Sequence, residues 1–429
     1  MKILVLTNLY PPHHAGTFDV RCESVVNNLK LRGHTVRVLT STHGMLLQQQ
    51  GGDVERRLKL NGVYDHPLVT SYGDLKKIET HNNAVLRETF ASFAPDVVHI
   101  FSLTGLSKSL LFTLRHARVP TVFDVADTWL TLDLRNDPWL RWWNHPAGNM
   151  ARKALELSGA RNGLDDAAPT RVMKGYDRMP ELFAEPPVVN SIGSFRFDRI
   201  YFASVSLKES AEAAGFQVSH ADVIYPGIPT QNFVNEVRPS SAPIEKLLIV
   251  AALTKRSGVL TALHAIHELR KSKIKVSLSI YGKGDSAYVA ELRSLIALQQ
   301  LPVEFMNVSN FVKDLPAVYR RHDAYLYTSE EPEPFSFTIL EAMASGLPVI
   351  GTAIGGTGEL LRHGENSLTF TPGEAYELAQ RIQELQISPA LRAQMADNAQ
   401  QEVLANFNET VVTDRIEQFL ETSLQTWQH

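Results

Sequence analysis

Short apolar runs alternate with stretches of helical period over most of the 429 residues. Residues 2–8 read as a buried strand, and a loop follows over 10–17. Val20, Val25, Val26 and Leu29 then recur at helical spacing until Gly33, and 35–39 reads as a second strand. Strand, helix, strand at this spacing is a βαβ unit, which implies a parallel sheet covered by helices. The alternation continues with strands over 96–101 and 121–125 and a helix over 106–115. Residues 130–195, with Trp129 just before them, break it with Trp139, Trp142 and Trp143 and a polar run carrying Gly and Pro. That stretch reads as a helical insertion. Its tryptophans are either flat contact surfaces for a ligand or core.

From residue 199 the rhythm returns, with a strand over 201–203, a helix from 206 to 214 and a closing strand near 223–228. Pro239 to Pro243 form a turn-rich entry to a second domain. Strands there are expected over 247–251, 276–281, 303–305, 324–327 and 349–350, separated by helices, with a final helix over 409–427. The predicted organisation is therefore α/β, two doubly wound Rossmann-like domains: 1–225 with the insertion, 226–408, and a C-terminal helical segment over 409–429. The loops at 10–17, 126–129, 226–229, 252–258, 282–285 and 329–338 each follow a strand. Ligands of open α/β sheets bind outside the carboxyl ends of the strands, so two such domains face to face would gather these loops along one cleft.

Composition narrows the class. A content of 44% hydrophobic and 21% charged residues suits a soluble globular chain, and a formal net charge of −4 argues against general nucleic-acid binding. The single cysteine, Cys22, excludes a disulfide framework and a Cys-based zinc site and suggests a reducing, cytoplasmic setting. The apolar run at residues 1–6 is too short for a signal-peptide core, and no stretch approaches the roughly 20 apolar residues of a membrane span. Arg56, Arg57 and Lys59 form a basic cluster that reads first as a solvated face, with peripheral membrane contact left open.

The densest chemistry lies in 327–361, YTSEEPEPFSFTILEAMASGLPVIGTAIGGTGELL. Glu333 sits in a Pro-rich loop. Glu341 sits inside a helix that must begin near 336–338, because Ile339, Leu340, Ala342, Met343 and Ala344 are helix formers with an apolar face. The free N–H groups of the first helical turn, Phe335 to Thr338, make an anion site with a carboxylate on either side. Phosphates held there would leave each acid suited to hydroxyls of a different sugar.

This stretch resembles the donor site of glycosyltransferase family 4, the retaining enzymes of GT-B fold, whose hallmark is two Glu separated by seven residues. LVLTNLYPPHHAG, RGHTVRVLT, PDVVHI, VIYPGI, GKGD and the Glu pair stand in the family's order, so the resemblance covers nearly the whole chain. It implies a nucleotide-sugar donor of unknown base, an unidentified acceptor, no other cofactor and no metal. Glu333 would bind the donor sugar and Glu341 the ribose. Gly16 and Thr17 would shape the floor, and Asp127 would orient an acceptor hydroxyl. Acceptor recognition is the duty expected of the insertion, and the final helix is expected to cross back to the first domain.

Five positions depart from the family. Gly16-Thr17 stands where two glycines are usual. Ala126 replaces a His before Asp127, with His13 and His14 as nearby proton carriers. Ser336 replaces a Gly. Ala252 and Ser257 replace the Arg and Lys that clamp the diphosphate, and such cations are commonly the largest catalytic contribution. Lys255, Arg256 and Lys283, which follows Gly282, are the candidate substitutes. The rival reading follows from these losses: a catalytically weakened GT-B protein that binds a nucleotide, a glycan or a partner enzyme. A sugar epimerase or phosphorylase on the same fold is a minor third.

Overall fold

The computed structural model describes residues 1–13, 16–44, 52–134, 137–139, 197, 199–234, 243–306 and 311–427. It divides into two compact units, Met1–Ile224 with Thr413–His429, and Tyr225–Val412.

Unit 1 is built on β1 (Lys2–Leu6), β2 (Thr35–Ser41), β3 (Val54–Leu58), β4 (Val97–Ile100), β5 (Thr121–Val125), β6 (Ile200–Phe202) and β7 (Asp222–Val223). The sheet is parallel throughout, in the order β3-β2-β1-β4-β5-β6-β7. Ile3 pairs with both Val36 and Val97, so β1 is central and apolar on both faces, as a doubly wound sheet requires. Helices α1 (Thr17–Leu31), α2 (Tyr72–Phe93) and α3 (Leu110–His116) connect the strands. A short π-helix, Trp129–Asp133, follows β5.

Trp129 and Trp139 are 0% exposed and pack in the core of this unit, which settles both in favour of core over contact surface. Trp142, Trp143 and His14 lie outside the described residues. Arg56 belongs to no solvated face. It is buried and donates to the carbonyls of Tyr10 (2.9 Å) and Pro11, tying down the loop after β1.

Unit 2 repeats the plan with β8 (Lys246–Val250), β9 (Ser277–Tyr281), β10 (Val303–Met306), β11 (Ala324–Tyr327), β12 (Val349–Gly351) and β13 (Leu368–Thr369), ordered β10-β9-β8-β11-β12-β13 and again all parallel. In each unit the order reverses beside the first strand, the switch point where such sheets open a crevice. The last helix, Glu409–Gln425, starts in unit 2 and belongs to unit 1 from Thr413 on. There Glu417 accepts from Arg32 at 2.6 Å and lies 2.6 Å from His34, and Phe419 packs edge-on against Tyr201.

Candidate functional site

In unit 2 the chemistry collects where β8, β9 and β11 end. Helix Phe337–Ala344 begins at Ser336, whose side chain makes no capping bond. Phe335, Ser336 and Phe337 are buried, and the first-turn amides face an end left without a side-chain cap. Thr338 is held in place by Tyr325, whose hydroxyl donates to its Oγ1 at 2.7 Å. Glu341, one turn on, is only 6% exposed. Tyr319 OH donates to its Oε2 at 2.8 Å, but burial outweighs that bond and pushes the carboxyl up to about 7. A carboxylic acid kept near neutrality inside a helix is no surface acid.

Glu333 is placed differently. It is exposed, and Ser329 Oγ donates to its Oε1 at 3.3 Å. Its backbone is fixed instead: Gly356 N–H donates to the Glu333 carbonyl at 2.9 Å, and Gly355, at φ +61°, lies so close that a Cβ would stand 2.7 Å from that oxygen. The Gly355-Gly356 pair therefore fixes the Glu333 loop.

The loop after β8 is stitched to the loop after β11. Glu330 N–H donates to the Arg256 carbonyl (2.8 Å) and Thr328 Oγ1 to the Ser257 carbonyl (2.7 Å). Gly258 permits this, since at φ +63° a Cβ would sit 1.8 Å from the Thr328 oxygen. Leu253 N–H reaches the carbonyl of Lys283 at 2.9 Å, bringing the Gly282-Lys283 turn alongside. Within this bundle Ala252, Lys255, Arg256 and Lys283 are exposed, whereas Ser257 is buried with its hydroxyl on the Thr254 carbonyl (2.6 Å). Arg256 forms an exposed ion pair with Glu331 at 3.1 Å.

In unit 1 the ends of β1, β4 and β5 surround a cavity of about 320 Å³. Asp127 stands in its wall. Ser102 Oγ and Thr104 Oγ1 donate to its Oδ2 at 2.8 and 3.3 Å, Trp129 N–H donates to its Oδ1 at 2.8 Å, and burial of the carboxyl nevertheless pushes it up to about 6. Gly16, also in the wall, precedes α1 with an extended backbone, and its N–H donates to Asp19 Oδ2 at 3.3 Å. That amide is thus occupied by a carboxylate of its own helix. Thr17 is half-buried beside it.

Beneath the cavity runs a buried polar chain that the sequence did not disclose. Arg21 pairs with Asp124 at 2.8 Å, Tyr201 OH donates to Asp124 Oδ2 at 2.8 Å, and His99 Nε2 lies 2.8 Å from that hydroxyl. Burial, and then the nearby Arg21 charge, push His99 down to about 3, so its ring is neutral and donates through Nε2. Its one mark in the sequence is Asp124, an acid inside the otherwise largely apolar strand run 121–125.

Comparison with known proteins gives this geometry a context. Residues 236–402 match the model of glycosyl transferases group 1, and residues 16–158 match a glycosyl transferase 4-like domain. The chain carries these two glycosyltransferase domains, one in each unit. A glycogen synthase of Mycobacterium tuberculosis is 28% identical over 231 residues, 52% of this chain and 54% of that one. Spore coat protein SA of Bacillus subtilis is 31% identical over 170 residues, 38% and 44% of the two chains. The chain thus spans about half the length of these curated relatives. Anabaena HepE, solved in complex with UDP, superposes with a TM-score of 0.68 at 21% identity, covering 98% of this chain and 100% of that one. The fold is GT-B.

Among the described residues, no three His, Cys, Asp or Glu are grouped to hold a metal ion, and no helix is long and apolar enough to cross a membrane.

Proposed function

We propose that the chain is a retaining glycosyltransferase of hexosyl type, moving a sugar from a nucleoside-diphosphate sugar to an acceptor hydroxyl. The observation that carries this reading is the frame around helix Phe337–Ala344: uncapped first-turn amides, Glu333 fixed through its backbone before them, and Glu341 buried behind them. The amides would take the phosphates, with the dipole of the helix favouring their charge. Glu341 would accept from ribose hydroxyls and Glu333 from the donor sugar. HepE holds UDP and, in a second structure, UDP-glucose, which supports a nucleotide-sugar donor here.

Unit 1 would present the acceptor, with Asp127 accepting its reacting hydroxyl. The acceptor oxygen would bond to the anomeric carbon on the face the diphosphate leaves, and the hydroxyl proton would depart with the diphosphate. The proposal includes a metal-free reaction in a reducing, cytoplasmic setting. One observation favours the rival, a protein that binds nucleotide or glycan without turnover: Ala252 and Ser257 bring no cation to the loop, and Arg256 is engaged with Glu331. Incubation with a panel of nucleotide-sugars in the presence of a chelator separates the two. Release of the nucleoside diphosphate is expected. Nucleotide binding in calorimetry without any release makes the protein a binder.

A further inference from the structure

Behind Glu341 stands Tyr319, on helix Phe311–Arg320. It is 0% exposed, and its ring lies edge-on to Phe233 at 5.9 Å and tilted against Tyr325 at 6.0 Å. Its hydroxyl is held between two acceptors of helix Phe337–Ala344: Oε2 of Glu341 at 2.8 Å and the Thr338 carbonyl at 3.3 Å. A phenol has one proton to donate, so it serves one of them well at a time. Among the described residues Tyr319 is the one group that hydrogen-bonds the Glu341 carboxyl, which leaves Oε1 for a ligand. The titratable groups that act on Glu341 are this phenol and, from β11, that of Tyr325. Helix Thr230–Phe233 brings no titratable side chain. Helix Pro389–Asn406 brings Gln400, which donates to the Ala344 carbonyl at 2.9 Å, while its Arg392 donates to the Leu385 carbonyl at 3.0 Å.

We propose that Tyr319 is a positioning residue whose reversible hydrogen bond lets the buried Glu341 exist both as acid and as carboxylate, and so ties nucleotide entry to release of a proton. The proposal rests on the proposed function, in which Glu341 accepts from ribose hydroxyls. In the acid, Oε2–H donates to the phenol oxygen, and the phenol O–H turns to the Thr338 carbonyl. In the carboxylate, the phenol O–H turns back to Oε2. One hydroxyl rotation thus satisfies either state, where an unmatched buried polar atom would be destabilising. Burial favours the acid before nucleotide enters, consistent with a carboxyl pushed up to about 7. Ribose hydroxyls then bring donors to Oε1. Hydrogen bonds to an ionised acceptor are roughly twice as strong as neutral ones, so the carboxylate is favoured and its proton passes to solvent. No other bond is made or broken.

Calorimetry on the full chain tests this with UDP-, ADP- and GDP-glucose, in buffers of differing ionisation enthalpy between pH 6 and 9. These probes are chosen because their diphosphate is fully ionised throughout that range. At pH 6.5 about 0.5–0.9 proton is expected to leave per nucleotide bound, and almost none at pH 9. Tyr319→Phe keeps the ring and removes the donor. The rise of affinity with pH should then move up by about one unit, giving roughly fivefold weaker binding at pH 6.5 and near-parental binding at pH 9. A loss that is equal at both pH values is what a merely structural role would give, and it overturns the assignment to Tyr319. Proton counting in the parent and in Glu341→Gln keeps the proposal open to refutation should Tyr319→Phe fail to fold. Release that persists in Glu341→Gln overturns it. Binding by the parent without proton release also overturns it and leaves the proposed function standing. Failure of all three nucleotides to bind at any pH overturns the proposed function as well.

Discussion

Glu333 and Glu341 are eight residues apart and physically unlike, so their substitutions should separate. Glu341→Ala removes a buried acceptor, and nucleotide affinity should fall by roughly 1.5–3 kcal/mol, the worth of a hydrogen bond to a charged group. Calorimetry with UDP checks this, and unchanged affinity in a folded variant removes Glu341 from the site. Glu333→Ala should lower turnover more than UDP affinity, since an exposed side chain ahead of the helix meets the sugar alone; equal losses for UDP and UDP-sugar would refute that division. The raised pKa of Glu341 adds a sign. The folded carboxyl keeps its proton to about 7, whereas its ordinary value is 4.5. Between those values the folded state binds more protons than the unfolded, so unliganded stability falls as pH rises across the window. Ribose binding should run the other way, strengthening from pH 6 to 8 as the carboxylate forms. Glu341→Gln should flatten both trends, by thermal melts and calorimetry at the two pH values.

At the scale of elements, loops rather than helices carry the design. Gly258 holds the β8 loop against the β11 loop, and its Cβ would strike the Thr328 carbonyl at 1.8 Å. Gly258→Ala should therefore cost at least about 1–2 kcal/mol from the left-handed backbone alone, with UDP affinity falling as the Glu333 loop shifts. Urea unfolding and calorimetry measure the two effects. The same loop predicts an asymmetry in placing at 252 and 257 the Arg and Lys that the family resemblance leads one to expect there. Ala252 is exposed and should accept Arg with tighter UDP binding. Ser257 is buried and bonded to the Thr254 carbonyl, so Lys there should gain affinity only at a loss in melting temperature. If Ala252→Arg does not tighten UDP binding, the loop does not face a diphosphate.

This scale is also where the sequence was least legible. The central strands and the helix carrying Glu341 were readable, because apolar period and turn residues agreed. Helix α2 was not. Its inward face carries Glu79, Asn82, Asn83 and Thr89, all buried, with Asn82 and Asn83 bonded to Ser107 and Ser109 at 2.9 and 2.6 Å. A polar seam of this kind erases the hydrophobic period that marks a helix. Strand β3 reads VERRL and sits at a sheet edge, where charged residues are usual and alternation is lost. The Glu pair was legible from its spacing, but the environments of Glu341 and Asp127 were not. Tyr319, Ser102 and Thr104 arrive from other segments, and only the folded chain brings them near.

For the whole molecule, the last helix is the element to test. Ile416 and Leu420 are fully buried, and Glu417 engages Arg32 and His34 of unit 1. Ending the chain after Val412 removes two buried branched side chains, worth roughly 1.5–3 kcal/mol each. The melting temperature of unit 1 should drop on the order of 10 °C, read by hydrogen exchange at β1 and β2 amides. A truncated chain as protected as the full one would mean that the helix is dispensable.

That helix also sets an order of assembly during synthesis. Unit 1 needs residues from Thr413 on, so its first 224 residues leave the ribosome without their last partner. All of Tyr225–Val412 must be made before that partner arrives. At about 5–20 residues per second, those 188 residues (412 − 225 + 1) impose a wait of roughly 10–40 s. Throughout it Tyr201 and the α1 end carrying Arg32 lack their cover. The nascent first half is thus the window in which a chaperone, or a premature stop codon, would matter most.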